Sequence, residues 1–330
     1  MATFETQQLD EVIVNSRRKM LALGGAALAG LAFAGVKLAD AQSTPAYSDS
    51  DILNFALNLE YLESQFYTLA TTGKTIDELG IGIGAGTSAT GGGSVVTKTG
   101  GPASCLVPWT LPAIQAYATE TAQEERNHVT FLRGALTSAA VAQPNLDLFN
   151  SFNALASAAG IASTFDPFAN DLDFLVGAYI FEDVGVTAYS GAAPLLTTPA
   201  YLAAAAGILG VEAYHAGLVR TSIFLADPDG KAGLQGYTQD ISATRMKLDG
   251  SSTTDDIGVG FQTVSVEPTG TMNGAATIVD AQTGSTNYSK TYSRSTTQVL
   301  KIVTGSTNIP ASGAKYTGVF FPNGLNGLFS

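Results

Sequence analysis

The chain holds only two histidines, and each stands three residues after a glutamate, in Glu125-Arg-Asn-His128 and Glu212-Ala-Tyr-His215. With 11 glutamates in 330 residues, one such coincidence has a chance of roughly one in thirty, and both together on the order of one in a thousand. Residues three apart on a helix share a face, so each pair sets a carboxylate beside an imidazole. Taken alone, either pair also fits an exposed salt bridge on a helix surface.

The flanking periodicity favours an inward position. Ile114, Ala118, Thr121, Glu125, His128 and Leu132 recur at intervals of three and four, and so do Ala205, Ile208, Glu212, His215 and Val219. Acid and imidazole therefore lie on the apolar stripe that a helix buries. Two further stretches repeat the pattern with a lone acid: Glu182 in the stripe Leu175, Ala178, Glu182, Val186, Tyr189, and Glu60 in the row Leu53, Ala56, Glu60, Glu63, Tyr67.

Start and stop signals predict four helices. The first spans about 50–70, with Ser48 and Asp51 at capping-box spacing and Gly73 closing it. The second runs from Pro112, a favoured first-turn residue, to about Leu136. The third covers roughly 171–190, stopped by Gly191 and Pro194, and the fourth roughly 199–225, ending before Asp227-Pro228. Glu60 precedes Tyr67 by seven residues and Glu182 precedes Tyr189 by seven, so the bundle reads as two related helical hairpins.

In that register Glu63 matches Gly185. Glu60, Glu125, His128, Glu182, Glu212 and His215 are accordingly the candidate metal ligands, with Glu63, Tyr67 and Tyr189 as supporting residues that orient them. A core tyrosine with a satisfied hydroxyl is the plainer reading of the last two. Glu120 and Glu124 lie off the stripe and are expected to be solvated, and Asp183 to cap or pair locally rather than ligate.

Burying one unpaired ion costs several kcal/mol, so four carboxylates in one core need neutralising. Two divalent cations cancel four charges. Oxygen-rich ligation with two imidazoles suits iron or manganese, and zinc also fits. Bridging by Glu125 and Glu212 would hold two ions roughly 3.5–4 Å apart.

The formal charge of −12, with Lys and Arg never clustered after the first twenty residues, excludes a nucleic-acid partner and favours cations. The single cysteine, Cys105, excludes an intrachain disulfide framework and a cysteine-based zinc cluster. Near the N-terminus, Arg17-Arg18 precedes an uncharged run, Met20 to Val36, and Ala39-Asp40-Ala41 supplies small residues at cleavage spacing. Residues 1–41 look like a twin-arginine export signal, which predicts a periplasmic, extracellular or cell-surface protein. The alternative is an uncleaved membrane anchor, against which stand the run's short length and its glycines.

Residues 42–230 are expected to form the bundle, with a long Gly-rich loop over 81–101 and a short helix near 146–159. Residues 231–330 read as a β-rich or irregular appendage with strands near 259–266 and 275–279 and a helical turn or two at 297–303.

Leu57-Asn-Leu-Glu-Tyr-Leu-Glu63, Glu124-Glu-Arg-Asn-His128, Phe181-Glu-Asp-Val-Gly-Val-Thr-Ala-Tyr189, Gln298-Val-Leu-Lys-Ile-Val303 and Phe320-Phe-Pro-Asn-Gly-Leu-Asn-Gly327 resemble the ferritin-like family that includes the desiccation-related proteins. The resemblance covers about residues 50–329. It implies a mainly α, ferritin-like four-helix bundle, stress protection, and oxidation of iron or disposal of peroxide as the chemistry. The Gly-rich loop and C-terminal region depart from storage ferritins, so a cage is not expected. A non-catalytic surface-assembly or homo-oligomeric protein, in which any metal is structural, is the other reading.

Overall fold

The computed structural model describes residues 47–251, 256–260, 262–266, 270–274, 291–308 and 315–329. The expected export signal and the strand expected at 275–279 lie outside the described residues.

Four long helices form the bundle: α1 (Asp49–Thr72), α2 (Pro112–Leu136), and, after the short α3 (Asn150–Ala159), α4 (Asp171–Ala192) and α5 (Pro199–Ala226). Each begins where its local chemistry dictates. The Ser48 hydroxyl accepts from the Asp51 amide while the Asp51 carboxylate accepts from the Ser48 amide, closing the capping box on α1. Proline opens α2 and α5, and the Asn170 side chain accepts from the Leu172 and Asp173 amides at the start of α4. α1 packs along α2, and α4 along α5, giving the two hairpins that the register implied.

One boundary differs from the sequence reading. Gly191 does not stop α4, which runs on to Ala192. A Cβ at Gly191 would sit 1.9 Å from the Arg294 carbonyl oxygen. The glycine instead lets a later segment press against α4, where the Arg294 amide donates to the Thr187 carbonyl.

α1 is buried from Ile52 to Ala70, because the loop before α2 and the C-terminal tail cover its outer side. Arg133 of α2 pins that loop, donating to the Tyr61 hydroxyl and to the carbonyls of Gly84, Gly86 and Ser88. Within the loop the Ile83 and Gly84 amides donate to the Ala89 and Ser88 carbonyls, and β1 (Val95–Val96) pairs in parallel with β2 (Leu146–Asp147). At the tail, Asn58 and Asn326 exchange side chain to backbone hydrogen bonds.

The region after 230 is more helical than expected. It contains α6 (Leu234–Asp249), α7 (Thr296–Thr304) and a hairpin of β3 (Gln262–Val266) and β4 (Gly270–Gly274). α6 and α7 pack on α4, and a buried network fixes them there. Arg245 of α6 donates to Asp183 on α4 and to both carboxylate oxygens of Asp256. Arg220 of α5 also donates to Asp183, at 2.6 Å. Arg294 donates to Asp249, Asp256 and Thr187. Asp183 therefore ties three helices together.

α5 is the one helix among the described residues long and apolar enough to cross a membrane. Its only charged or imidazole side chains, Glu212, His215 and Arg220, are all buried in the bundle.

A candidate dinuclear metal centre

The six residues singled out from the stripes converge at mid-bundle. Glu60, Glu125, Glu182, Glu212 and His215 are at most 1% exposed, and His128 is 7% exposed. Their ligand atoms fall into two overlapping sets: Glu60, Glu125, His128 and Glu212, and Glu125, Glu182 and His215, each within 4.8 Å of one another. Glu125 alone belongs to both, so by distance it is the shared carboxylate, while Glu212 sides with His128.

His128 Nδ1 lies 3.2 Å from Glu60 Oε2, 3.5 Å from Glu212 Oε1 and 3.7 Å from Glu125 Oε2. His215 Nδ1 lies 3.0 Å from Glu125 Oε1 and 3.5 Å from Glu182 Oε2. Several of these approaches lack hydrogen-bond alignment: both oxygens of Glu125 and of Glu212, Glu182 Oε2 and His215 Nδ1 are buried without a hydrogen-bond partner. A native core seldom tolerates such groups, since each carries a desolvation cost of about 1–3 kcal/mol or more. Donor atoms that face a common point without bonding one another fit cation binding.

Electrostatics agree. Burial would lower the His128 imidazole, yet the neighbouring Glu60 and Glu125 carboxylates raise it to about 12. His215 is raised likewise against burial by Glu182 and Glu125. Burial would raise Glu125, but the two imidazoles beside it bring it down to about 2. Burial lifts Glu60 to about 7. Burial and the other carboxylates hold Glu63 and Glu212 well above the usual carboxylate range. The pocket thus calls for positive charge at its centre.

The tyrosines cross the bundle to the opposite hairpin's acid. Tyr67 of α1 donates to Glu182 Oε1 and Tyr189 of α4 donates to Glu60 Oε1. Burial and the charge of the carboxylate each one meets keep both hydroxyls protonated. Each bond fixes one oxygen of its acid, and in Glu182 it leaves Oε2 toward His215.

The two halves are not equivalent. Glu63 is buried at 5% exposure, and its register partner is Gly185. A Cβ on Gly185 would lie 2.2 Å from Glu212 Oε2 and 3.4 Å from Glu63 Oε1, so the glycine makes the room in which Glu212 sits. Glu124, expected to be solvated, instead holds His215 Nε2 at 2.7 Å with its side chain one-third exposed. That contact orients the ring and leaves Nδ1 for the centre. The residue of α5 in the same register is Val211, which has no polar group to offer His128. Glu120 accepts from the Tyr214 hydroxyl at 3.2 Å.

Comparison with known proteins agrees with this architecture. Residues 48–224 match the family model for the ferritin-like domain. The chain is 32% identical to a desiccation-related protein of Craterostigma plantagineum over 221 residues, 64% of this chain and 66% of that protein. It is 27% identical to a ferritin-like catalase of Nesocodon mauritianus over 291 residues, 85% of this chain and 84% of that protein. No solved structure matches the chain significantly. With the family model spanning more than half of its length, the chain belongs to the ferritin-like family, among the desiccation-related proteins.

Proposed function

We propose that this protein holds two divalent ions, iron or manganese, between Glu60, Glu125, His128, Glu182, Glu212 and His215, and uses them to dispose of hydrogen peroxide as an exported stress-protection protein. The observation that carries the reading is the set of buried carboxylate oxygens facing one another without hydrogen-bond partners. The similarity to a protein named as a ferritin-like catalase supports the choice of substrate, and the sequence of residues 16–41 supports export.

Metals of this kind supply a change of oxidation state that lets two peroxide molecules yield two waters and one dioxygen. The chain's own residues supply the rest. Glu125 and Glu212 contribute charge at the middle of the pocket, and the two imidazoles offer Nδ1 from opposite hairpins. Tyr67 and Tyr189 hold Glu182 and Glu60 in fixed rotamers. Glu63 lies buried beside Glu212, its carboxyl raised above the usual range by burial first and then by the neighbouring Glu212. The helices and their covering exclude bulk water from all of these groups.

Metal analysis of protein purified after expression with iron and with manganese, paired with oxygen evolution from peroxide, tests the proposal. It expects close to two equivalents and catalytic oxygen release, both lost in His128→Ala. Less than one equivalent under replete conditions would refute the metal centre. Two equivalents without turnover would leave the ion a structural role and refute the peroxide chemistry.

A further inference from the structure

The bundle's covered side contains two apolar cavities that share a wall. The outer one, about 500 Å³ counting space open to solvent, lies among α3, α4, α6 and α7 and is lined by Leu155, Phe165, Ile180, Leu248 and Ile302 among others. The inner one, about 330 Å³ on the same measure, lies between α1, α4 and α7 and ends on Glu63 and Gly185. Ile180 and Ile302 line both. Ile180 is also partly exposed although Phe174 to Tyr179 before it and Phe181 after it are buried, as a residue flanking an opening would be. Where the inner cavity ends, Gly185 presents backbone alone, with Glu212 Oε2 directly behind it.

We propose that these cavities form one route, gated at Ile180 and Ile302, by which dioxygen passes between solvent and the carboxylate cluster. The walls decide the class of traveller. They are aliphatic and aromatic except for Thr244, Arg245 and Glu63. The Arg245 guanidinium is committed to Asp183, Asp256 and the Tyr179 carbonyl. An ion would shed its hydration in such a passage with nothing to replace it, whereas a small apolar molecule loses little. Metal ions and superoxide are therefore excluded from this path. Dioxygen fits as the product of peroxide disposal, and the route rests on that reading for its purpose.

A second apolar cavity system offers the competing path. It reaches Tyr67 from the other side of the bundle, past Tyr117 and Leu218.

Two measurements test the route, the first independent of metal. Apolar cavities take up xenon, so crystals of metal-free protein under xenon pressure should show xenon in both cavities, and in Ile180→Trp should lose the site at the shared wall. In metal-loaded protein, the rate constant for reoxidation of the reduced centre by dioxygen should fall about tenfold or more in Ile180→Trp and Ile180→Phe. It should hold or rise in Ile180→Ala and hold in Leu218→Trp, with metal content unchanged. Absence of xenon from either cavity overturns the route whatever the metal does. So does reoxidation at the wild-type rate in both plugged variants, or slowing in Leu218→Trp alone. Xenon in both cavities of a protein that never loads metal would instead sink the peroxide reading and leave the cavities without that purpose.

Discussion

At the scale of single residues, two of the site's acids, Glu182 and Glu60, each have one oxygen held by a tyrosine from the opposite hairpin. Tyr67→Phe removes the donor to Glu182 Oε1 and strands a buried acceptor, at a cost of about 1–3 kcal/mol. Losing the partner that orients a ligating side chain weakens metal binding by roughly 10–100-fold. Chemical denaturation and a competitive metal titration of the variant measure the two effects separately. Titration of the metal-free protein has a defined sign. Glu60 is raised from 4.5 to about 7, so the folded state keeps a proton that the unfolded chain releases, and stability falls as pH rises between those values. His128, raised from 6.5 to about 12, continues the fall above neutrality. Glu125, lowered to about 2, adds stability as pH rises from there to 4.5. Metal-free protein should therefore melt at its highest temperature near pH 5 and progressively lower toward pH 9. Melting curves across that range check this, and a rising trend would contradict it. Of these residues, the six stripe positions and the crossing tyrosines were legible because the 3.6-residue period places them. Glu124 was not, since an off-stripe acid meets His215 only through the α2 to α5 packing, which no local signal encodes.

At the scale of elements, the sequence shows the four bundle helices through apolar stripes and caps, but hides α6. Its buried positions recur at helical spacing as Leu234, Thr238, Ile241, Ser242, Arg245 and Asp249. Most of them are polar, so a search for apolar periodicity passes over the helix. The polar face has its partners in the Arg220, Arg245 and Arg294 network with Asp183, Asp249 and Asp256. Asp256→Ala would leave two guanidinium groups short of their counter-ion in a buried setting. Breaking such a pair from one side costs about 3–5 kcal/mol, and urea unfolding should show a loss of that order. A loss below about 1 kcal/mol would mean that the network is solvated. The Ser48 cap is a smaller term: Ser48→Ala should cost about 1 kcal/mol.

At the scale of the whole molecule, the two hairpins repeat one register of acids, imidazoles and tyrosines, yet the chain treats their sides differently. α1 and α4 are wrapped by the loop, α6, α7 and the tail, while α2 and α5 leave Tyr117, Phe131, Leu202 and Tyr214 exposed. The wrapping makes Tyr47–Ser330 one compact unit. A buried centre that binds ions only in the folded state couples occupancy to stability. At a free metal concentration one hundred times the dissociation constant, binding one ion adds about 2.7 kcal/mol, so a chelator should lower the melting temperature and fresh metal restore it. The most direct test of the central claim is anomalous scattering from crystals of metal-replete protein. Two peaks roughly 3.5–4 Å apart, enclosed by Glu60, Glu125, His128, Glu182, Glu212 and His215, are the result predicted. A single peak, or none within the bundle, would contradict it.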